Sequence, residues 1–126
     1  MQIPILRLGE TYESADLVEL NESLITHTAN PGLIRRDLLR VQESKDALDA
    51  IPAETLADYC EAAAELFMHA ELPCGDSMQG PEDYIESLSA LTRLPHTLVR
   101  MNMGKIHAAM SQIRTVIGGL TRGIPL

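Results

Sequence analysis

The most regular spacing of apolar residues lies near the end of the chain, over residues 95–120. Apolar side chains recur there at spacings of 4, 3, 4, 3, 4 and 3, at Val99, Met103, Ile106, Met110, Ile113, Ile117 and Leu120. We call these seven residues the heptad seam. Residues three and four apart lie over one another on an α-helix, so the pattern predicts one long helix with a continuous apolar stripe. Pro95 suits its first turn, and Gly123 and Pro125 mark its end.

Two earlier patterns predict a pair of helices joined by a short connection. Asn30-Pro31 is typical of a helix start, with asparagine as the cap and proline in the first turn. The apolar residues that follow share one face, at Ile34, Leu38, Val41 and Leu48. Pro52 ends this helix and opens the next, where apolar residues repeat the 4, 3 spacing at Leu56, Cys60, Ala63, Phe67 and Ala70.

The remaining segments predict a loop, one more helix and a small β-ribbon. Residues 71–80 lack periodicity, and Pro81 then opens a third helix with Tyr84 and Leu88 on its apolar face. Residues 17–20 and 24–26 flank a turn at 21–23, which favours a hairpin. We therefore predict a mainly α fold, with a short N-terminal β-ribbon in residues 1–28 and about four helices in residues 29–126. The helical segment is expected to form part of one larger domain.

The charge balance excludes two classes of partner. The 126 residues include 18 acidic and 10 basic side chains, which gives a net charge of −8. Nucleic acids and anionic membranes favour basic proteins, so neither is an expected partner. No apolar run approaches the ~20 residues that span a bilayer, and the first residues do not resemble a signal peptide. Two cysteines fit a reducing compartment better than a disulfide scaffold, so we expect a cytoplasmic protein.

Candidate chemistry is sparse. Zinc would require Cys60, His69 and Cys74, with His96 or His107 as a fourth ligand, but their spacing matches no specific metal motif. Cys60 lies in an apolar helix pattern, and Cys74 has no nearby base fixed by sequence, so packing roles are favoured for both thiols. We predict no metal site, no cofactor-binding residue and no catalytic residue in this chain.

The acidic residues and the glycines each favour a structural role. The second helix carries its carboxylates on its polar side, at Glu54, Asp58, Glu61 and Glu65, as a solvated helix face does. Gly104, Gly118 and Gly119 do not form a phosphate-binding loop, and each weakens a helix by about 1 kcal/mol relative to alanine. We expect close approach of another backbone as the compensation, from this chain or from a partner.

Several segments resemble the N-terminal region of bacterial aldehyde dehydrogenase-like proteins, including relatives of the acyl-CoA reductases. These segments are RLGETYES at 7–14, ANPGLIRRD at 29–37, QGPEDY at 79–84, LPHTLVRMNMGKI at 94–106 and LTRG at 120–123. The sequence departs from the family at Arg93 and Gly104, where relatives often carry glycine and glutamate. It also has Asn21-Glu22-Ser23 in place of a Thr-Gly-Glu turn.

The resemblance implies that this chain is the N-terminal fragment of an NAD(P)-dependent oxidoreductase acting on an aldehyde or acyl-CoA. Such an enzyme uses a nucleophilic cysteine, a glutamate base and a Rossmann-type cofactor domain, and no position here matches those motifs. Neither Cys60 nor Cys74 is a candidate nucleophile on this basis. The chain alone is then not catalytic, and its role is to support the rest of the parent enzyme.

The alternative is a small acidic helical module for protein–protein interaction or oligomerisation. In both hypotheses the heptad seam is the interface, because a stripe of seven apolar residues is too large to remain in water. The partner is either the remainder of the parent enzyme or another copy joined through the C-terminal helix.

Overall fold

A computed structural model describes residues 1–124, and it shows a mixed α/β fold. The predicted architecture of one β-ribbon and about four helices is wrong, because this part of the chain forms six helices and three small sheets. It divides into two compact units. The N-terminal unit holds residues 1–50 and 73–78, and the helical unit holds residues 51–72 and 79–124. No helix within residues 1–124 is long and apolar enough to cross a membrane.

Five strands of the N-terminal unit form two of the sheets. They are β1 (Gln2–Ile3), β2 (Ile5–Arg7), β3 (Glu10–Tyr12), β4 (Leu17–Asn21) and β5 (Leu24–His27). The central strand β5 pairs with β1 in parallel and with β4 in antiparallel fashion, so the predicted hairpin forms. Strands β2 and β3 form a second hairpin. Its two turn residues, Leu8 and Gly9, have φ values of 53° and 88°, as a tight hairpin turn requires.

The segment predicted to be a loop contains a third, two-stranded sheet. Its strands are β6 (Leu72–Cys74) and β7 (Ser77–Gln79). Gly75 turns between them with φ of 64°, and a Cβ atom there would lie 1.6 Å from the carbonyl oxygen of Gln2. Asp76 accepts a hydrogen bond from the Gln2 backbone N–H at 3.1 Å through its Oδ1 atom. The turn therefore packs against the first strand only because residue 75 has no side chain.

The single helix predicted after Asn30 is broken into α1 (Pro31–Leu38) and α2 (Val41–Asp49). Its start is as predicted, since the Asn30 side chain accepts from the Leu33 N–H at 2.9 Å. At the break the Arg40 N–H donates to the Asp37 carbonyl, which tightens the last turn and ends α1. The apolar residues predicted to share one face are all exposed, namely Ile34, Leu38, Val41 and Leu48.

The helical unit contains α3 (Ala53–His69), α4 (Pro81–Thr92), α5 (His96–Ser111) and α6 (Ile113–Thr121). Its core is a cluster of Ile85, Val99 and Met103. The half-buried residues around this cluster are Phe67, Met68, Tyr84 and Leu88. α4 begins at Pro81 as predicted, and Asp83 accepts a hydrogen bond from the Gly80 N–H at 2.8 Å. This contact satisfies one of the free N–H groups at the helix start.

The long seam helix is interrupted, so the prediction of one continuous helix over residues 95–120 is wrong. α5 ends at Ser111 and α6 begins at Ile113, with Gln112 at φ −112° and ψ 26° between them. The Ser111 hydroxyl donates to the carbonyl oxygen of His107, four residues back. Such a bond bends a helix because it competes with the backbone N–H for the same acceptor. α6 ends at Thr121, with Arg122 and Gly123 at positive φ, and Pro125 lies outside the described residues.

Candidate functional site

The heptad seam is covered at its beginning and uncovered at its end. Val99 and Met103 lie in the core of the helical unit. Met110, Ile113 and Ile117 are partly buried, and Ile106 is exposed. Leu120, the last residue of the seam, is 81% exposed. The described chain therefore leaves the C-terminal part of the stripe without full cover.

A groove runs between α6 and the beginning of α3. It encloses about 530 Å³, and its apolar and small lining residues include Pro52, Ala53, Ala57, Ile117, Gly118 and Ile124. Outside the local helix, no heavy atom of the described residues lies within 4 Å of the position that a Cβ atom would take at Gly118. Ala53, Ala57 and Gly118 carry too little side-chain volume to fill the space between α3 and α6, so the groove stays open.

Arg114 ties α6 to α3 along the polar wall of this groove. Its Nε donates to Glu54 Oε2 at 3.0 Å and its Nη2 to Asp58 Oδ1 at 2.6 Å, and its Nη1 donates to Glu61. The hydrogen bonds that Arg114 donates to Asp58, Glu61 and Glu54, with the largest cause first, raise the pKa of Arg114. These carboxylates lie four and three residues apart, so they share one face of α3. The sequence predicted that this face is solvated. In the structure, three of its four carboxylates form ion pairs with Arg114.

The fourth carboxylate, Glu65, joins α3 to α5. His107 Nε2 lies 2.9 Å from Glu65 Oε1, and His69 Nε2 lies 3.8 Å from Oε2 of the same side chain. The hydrogen bond with His107 lowers the pKa of Glu65. Sequence reasoning missed this pair because 42 residues separate its members, and no local spacing reveals such a contact.

Exposed apolar side chains also lie in the first turns of α5 and just before the helix begins. Leu94, Leu98 and Met101 are all exposed there. Their spacing of 4 and 3 is the helical pattern that also defines the heptad seam, so this signal was present in the sequence and was missed. On α6, Val116 is a further exposed apolar side chain.

The glycines of α5 and α6 do not receive the expected close approach from this chain. Within the described residues, no heavy atom outside the local helix lies within 4 Å of a Cβ position at Gly104, Gly118 or Gly119. Their helical cost is therefore not offset by a neighbouring backbone of the described chain. A partner remains the candidate source of that contact.

The residues considered for zinc are placed as follows. Cys60 lies on α3 and Cys74 on β6, and both thiols are free and partly buried. His96 is exposed at the start of α5. Among residues 1–124, no three His, Cys, Asp or Glu side chains are arranged so that they could hold a metal ion.

No model of a known protein family, no curated protein and no solved structure matches this chain. The resemblance to aldehyde dehydrogenase-like proteins therefore stays a prediction from the sequence motifs. The geometry of the helical unit is the remaining guide to function.

Proposed function

We propose that this chain is a docking module whose α6 surface is covered by a second copy of the same chain. The observation that carries the proposal is the exposure of Leu120 beside the open groove of α6 and α3. Burying a leucine side chain contributes about 1.5–3 kcal/mol, so leaving it in water has a cost that a partner removes. Val116 is a further exposed apolar side chain of α6.

A second copy fits this surface because α6 carries both halves of a contact. Its outer side presents Leu120 as a projecting side chain, and its other side lines the groove with Ile117 and Gly118. In a two-fold pair each α6 contacts the same patch of its mate, so a projection on one copy meets the groove of the other. Glycine at position 118 leaves room for such an approach, since a Cβ there would meet no heavy atom of the described residues within 4 Å outside the local helix.

The test is sedimentation velocity of the wild-type chain and two matched variants over a wide range of protein concentration. Leu120→Glu places a charge in the proposed interface, and we expect it to weaken self-association about tenfold or more. Leu39→Glu is the control, because Leu39 is also 81% exposed but lies in the N-terminal unit. It introduces the same charge and should leave association unchanged.

Two results would contradict this function. A wild-type chain that stays monomeric at every concentration and binds no hydrophobic dye would remove the need for a partner. Equal dissociation by Leu39→Glu and Leu120→Glu would show that association does not depend on the α6 surface.

We also propose, as a second candidate, that the surface is covered by the remainder of an aldehyde dehydrogenase-like oxidoreductase that binds NAD(P) elsewhere. The sequence resemblance motivates it, and four of the resembling segments lie at helix boundaries, at Asn30, Gly80, Pro95 and Arg122. Sequencing the source DNA beyond the codon for Leu126 tests it. We expect an open frame encoding a nucleotide-binding domain and a nucleophilic cysteine, and a stop codon would refute it. Either function is proposed to operate in the cytoplasm, where the two free thiols persist.

A further inference from the structure

The N-terminal unit contains a small polar cavity that the docking function does not use. It encloses about 240 Å³ between the β2–β3 hairpin and the end of α1, and its lining residues are Arg7, Leu8, Glu10, Thr11, Tyr12 and Arg40. Two of these six residues are arginines, in a chain whose net charge is −8. Arginines gathered in this way provide fixed donors for an anion.

Arg7 is held in one orientation by two contacts. Its Nε and Nη2 atoms donate to the two carboxylate oxygens of Asp37, at 2.9 and 2.5 Å. Its guanidinium carbon lies 4.5 Å from the centre of the Tyr12 ring, within the range of a cation–π contact. The Arg7 side chain is only 17% exposed, so it is largely fixed before any ligand arrives.

The second edge of the Arg7 guanidinium is still available. A guanidinium carries five N–H donors in a planar fork, and Asp37 uses only the Nε–Nη2 edge. Neither Arg7 Nη1 nor the Thr11 hydroxyl donates a hydrogen bond to any of the described residues. The Nη1–Nη2 edge matches the spacing of two oxygens of a carboxylate or phosphate.

Arg40 supplies a second cation that a ligand can recruit. It pairs with Glu43 at 2.9 Å, but both side chains are more than half exposed, and such surface pairs contribute little. The local field is favourable, since Arg7, Arg36 and Arg40 together lower the pKa of Asp37, with the hydrogen bond from Arg7 as the largest cause. Glu10 also lines the cavity and opposes highly charged anions. The cavity therefore suits one small oxyanion better than a polyphosphate.

We propose that this cavity binds the oxyanion of a small molecule, a carboxylate or a phosphate, through the free edge of Arg7, with Arg40 and the Thr11 hydroxyl as further donors. The site is independent of the α6 docking surface, so either proposal can fail without the other.

The experiment is a ¹⁵N NMR titration of the whole chain with sodium acetate and, separately, with sodium phosphate. Sodium chloride at matched ionic strength is the reference. We expect saturable shifts of the Arg7 side-chain signal and of the backbone amides of residues 8–12 with at least one oxyanion. The anion that saturates identifies the class of ligand, because the two arms share the oxyanion group and differ in charge and shape.

Three variants locate the site. Arg40→Gln should weaken binding about tenfold, the change expected for one charge-assisted hydrogen bond. Arg7→Lys keeps the charge but loses the fork, so it should weaken binding while the N-terminal unit stays folded. Arg35→Gln removes the same charge from α1 outside the cavity and should bind as the wild type does.

Two outcomes would overturn the proposal. One is that acetate and phosphate both cause only the shifts that chloride causes. The other is that Arg35→Gln weakens binding as much as Arg40→Gln, which would mean that general charge and not the cavity attracts the anion.

Discussion

In the helical unit, three apolar side chains pack into one buried cluster, whereas the N-terminal unit buries one large apolar side chain, Leu33, together with Ser14 and His27. The polar pair is tied by hydrogen bonds. Ser14 donates to the Thr28 carbonyl at 2.7 Å, and His27 Nδ1 lies 2.7 Å from the Ser14 carbonyl oxygen. Buried apolar area thus stabilises the helical unit, whereas hydrogen bonds between buried polar groups fix the structure of the N-terminal unit.

His27 shows the free-energy cost of burying polar side chains in the N-terminal unit. A carbonyl oxygen only accepts, so Nδ1 donates the hydrogen bond to Ser14. Nε2 is buried and has no hydrogen-bond partner among the described residues. A buried polar atom without a hydrogen bond costs about 1–3 kcal/mol, which lowers the stability of the N-terminal unit.

The largest expected effect is the loss of core volume in the helical unit. Met103→Ala removes a side chain that is 3% exposed, and we expect the free energy of unfolding to fall by about 2–4 kcal/mol. Met101→Ala is the control on the same helix, since Met101 is 53% exposed and its loss should stay within about 0.5 kcal/mol. Urea denaturation measures both. Equal losses would mean that the cluster around Val99 is not the core.

The second largest expected effect is a loss of stability in the N-terminal unit when alanine replaces one of two glycines with positive φ. Gly75→Ala adds strain and also places a Cβ against the Gln2 carbonyl, so we expect a loss of about 2–3 kcal/mol. Gly9→Ala meets no atom within 4 Å, so only the strain of about 1 kcal/mol remains. Amide hydrogen exchange of residues 1–27 reads out this unit. If the amide hydrogens of residues 1–27 exchange at the same rates in both variants, the turn at Gly75 does not pack on the first strand.

Features fixed by near neighbours in the chain could be predicted from the sequence. The cap at Asn30 and the helix starts near Pro52, Pro81 and Pro95 follow from residues within one turn of each start. The turn between β4 and β5 is equally local. Strands β6 and β7 were missed because three residues are too few to show alternation.

Features that depend on distant residues could not be predicted. α1 ends at a turn whose Asp37 side chain binds Arg7, thirty positions away. The helix breaks at Gln112 because the Ser111 hydroxyl donates a hydrogen bond to the His107 carbonyl. The apolar spacing of the heptad seam contains no information on this hydrogen bond. The same limit applies to the candidate site. The spacing identified the stripe, but which end is covered depends on how α3 and α4 pack against it.

The smallest expected effect is a change in stability as the pH falls, which we compare for one carboxylate of each unit. Hydrogen bonds from Arg7 and from His107 lower the pKa of Asp37 and of Glu65 below their ordinary values of 3.8 and 4.5. A carboxylate with a lowered pKa in the folded state stabilises the fold fully above its unfolded value. That contribution is lost as the pH falls through the lower, folded value.

Asp37→Asn removes the titrating group from the N-terminal unit, and Glu65→Gln removes it from the helical unit. We expect Asp37→Asn to unfold the N-terminal unit at lower urea concentration at neutral pH and to flatten its acid dependence, because the pair with Arg7 is the less exposed of the two. Glu65→Gln should change the helical unit by a smaller amount, since an exposed pair is screened by water. NMR signals from residues 1–27 and 96–111, followed through urea titrations at several pH values, separate the units. Unchanged acid dependence of residues 1–27 in Asp37→Asn would mean that polar pairing does not set the stability of the N-terminal unit.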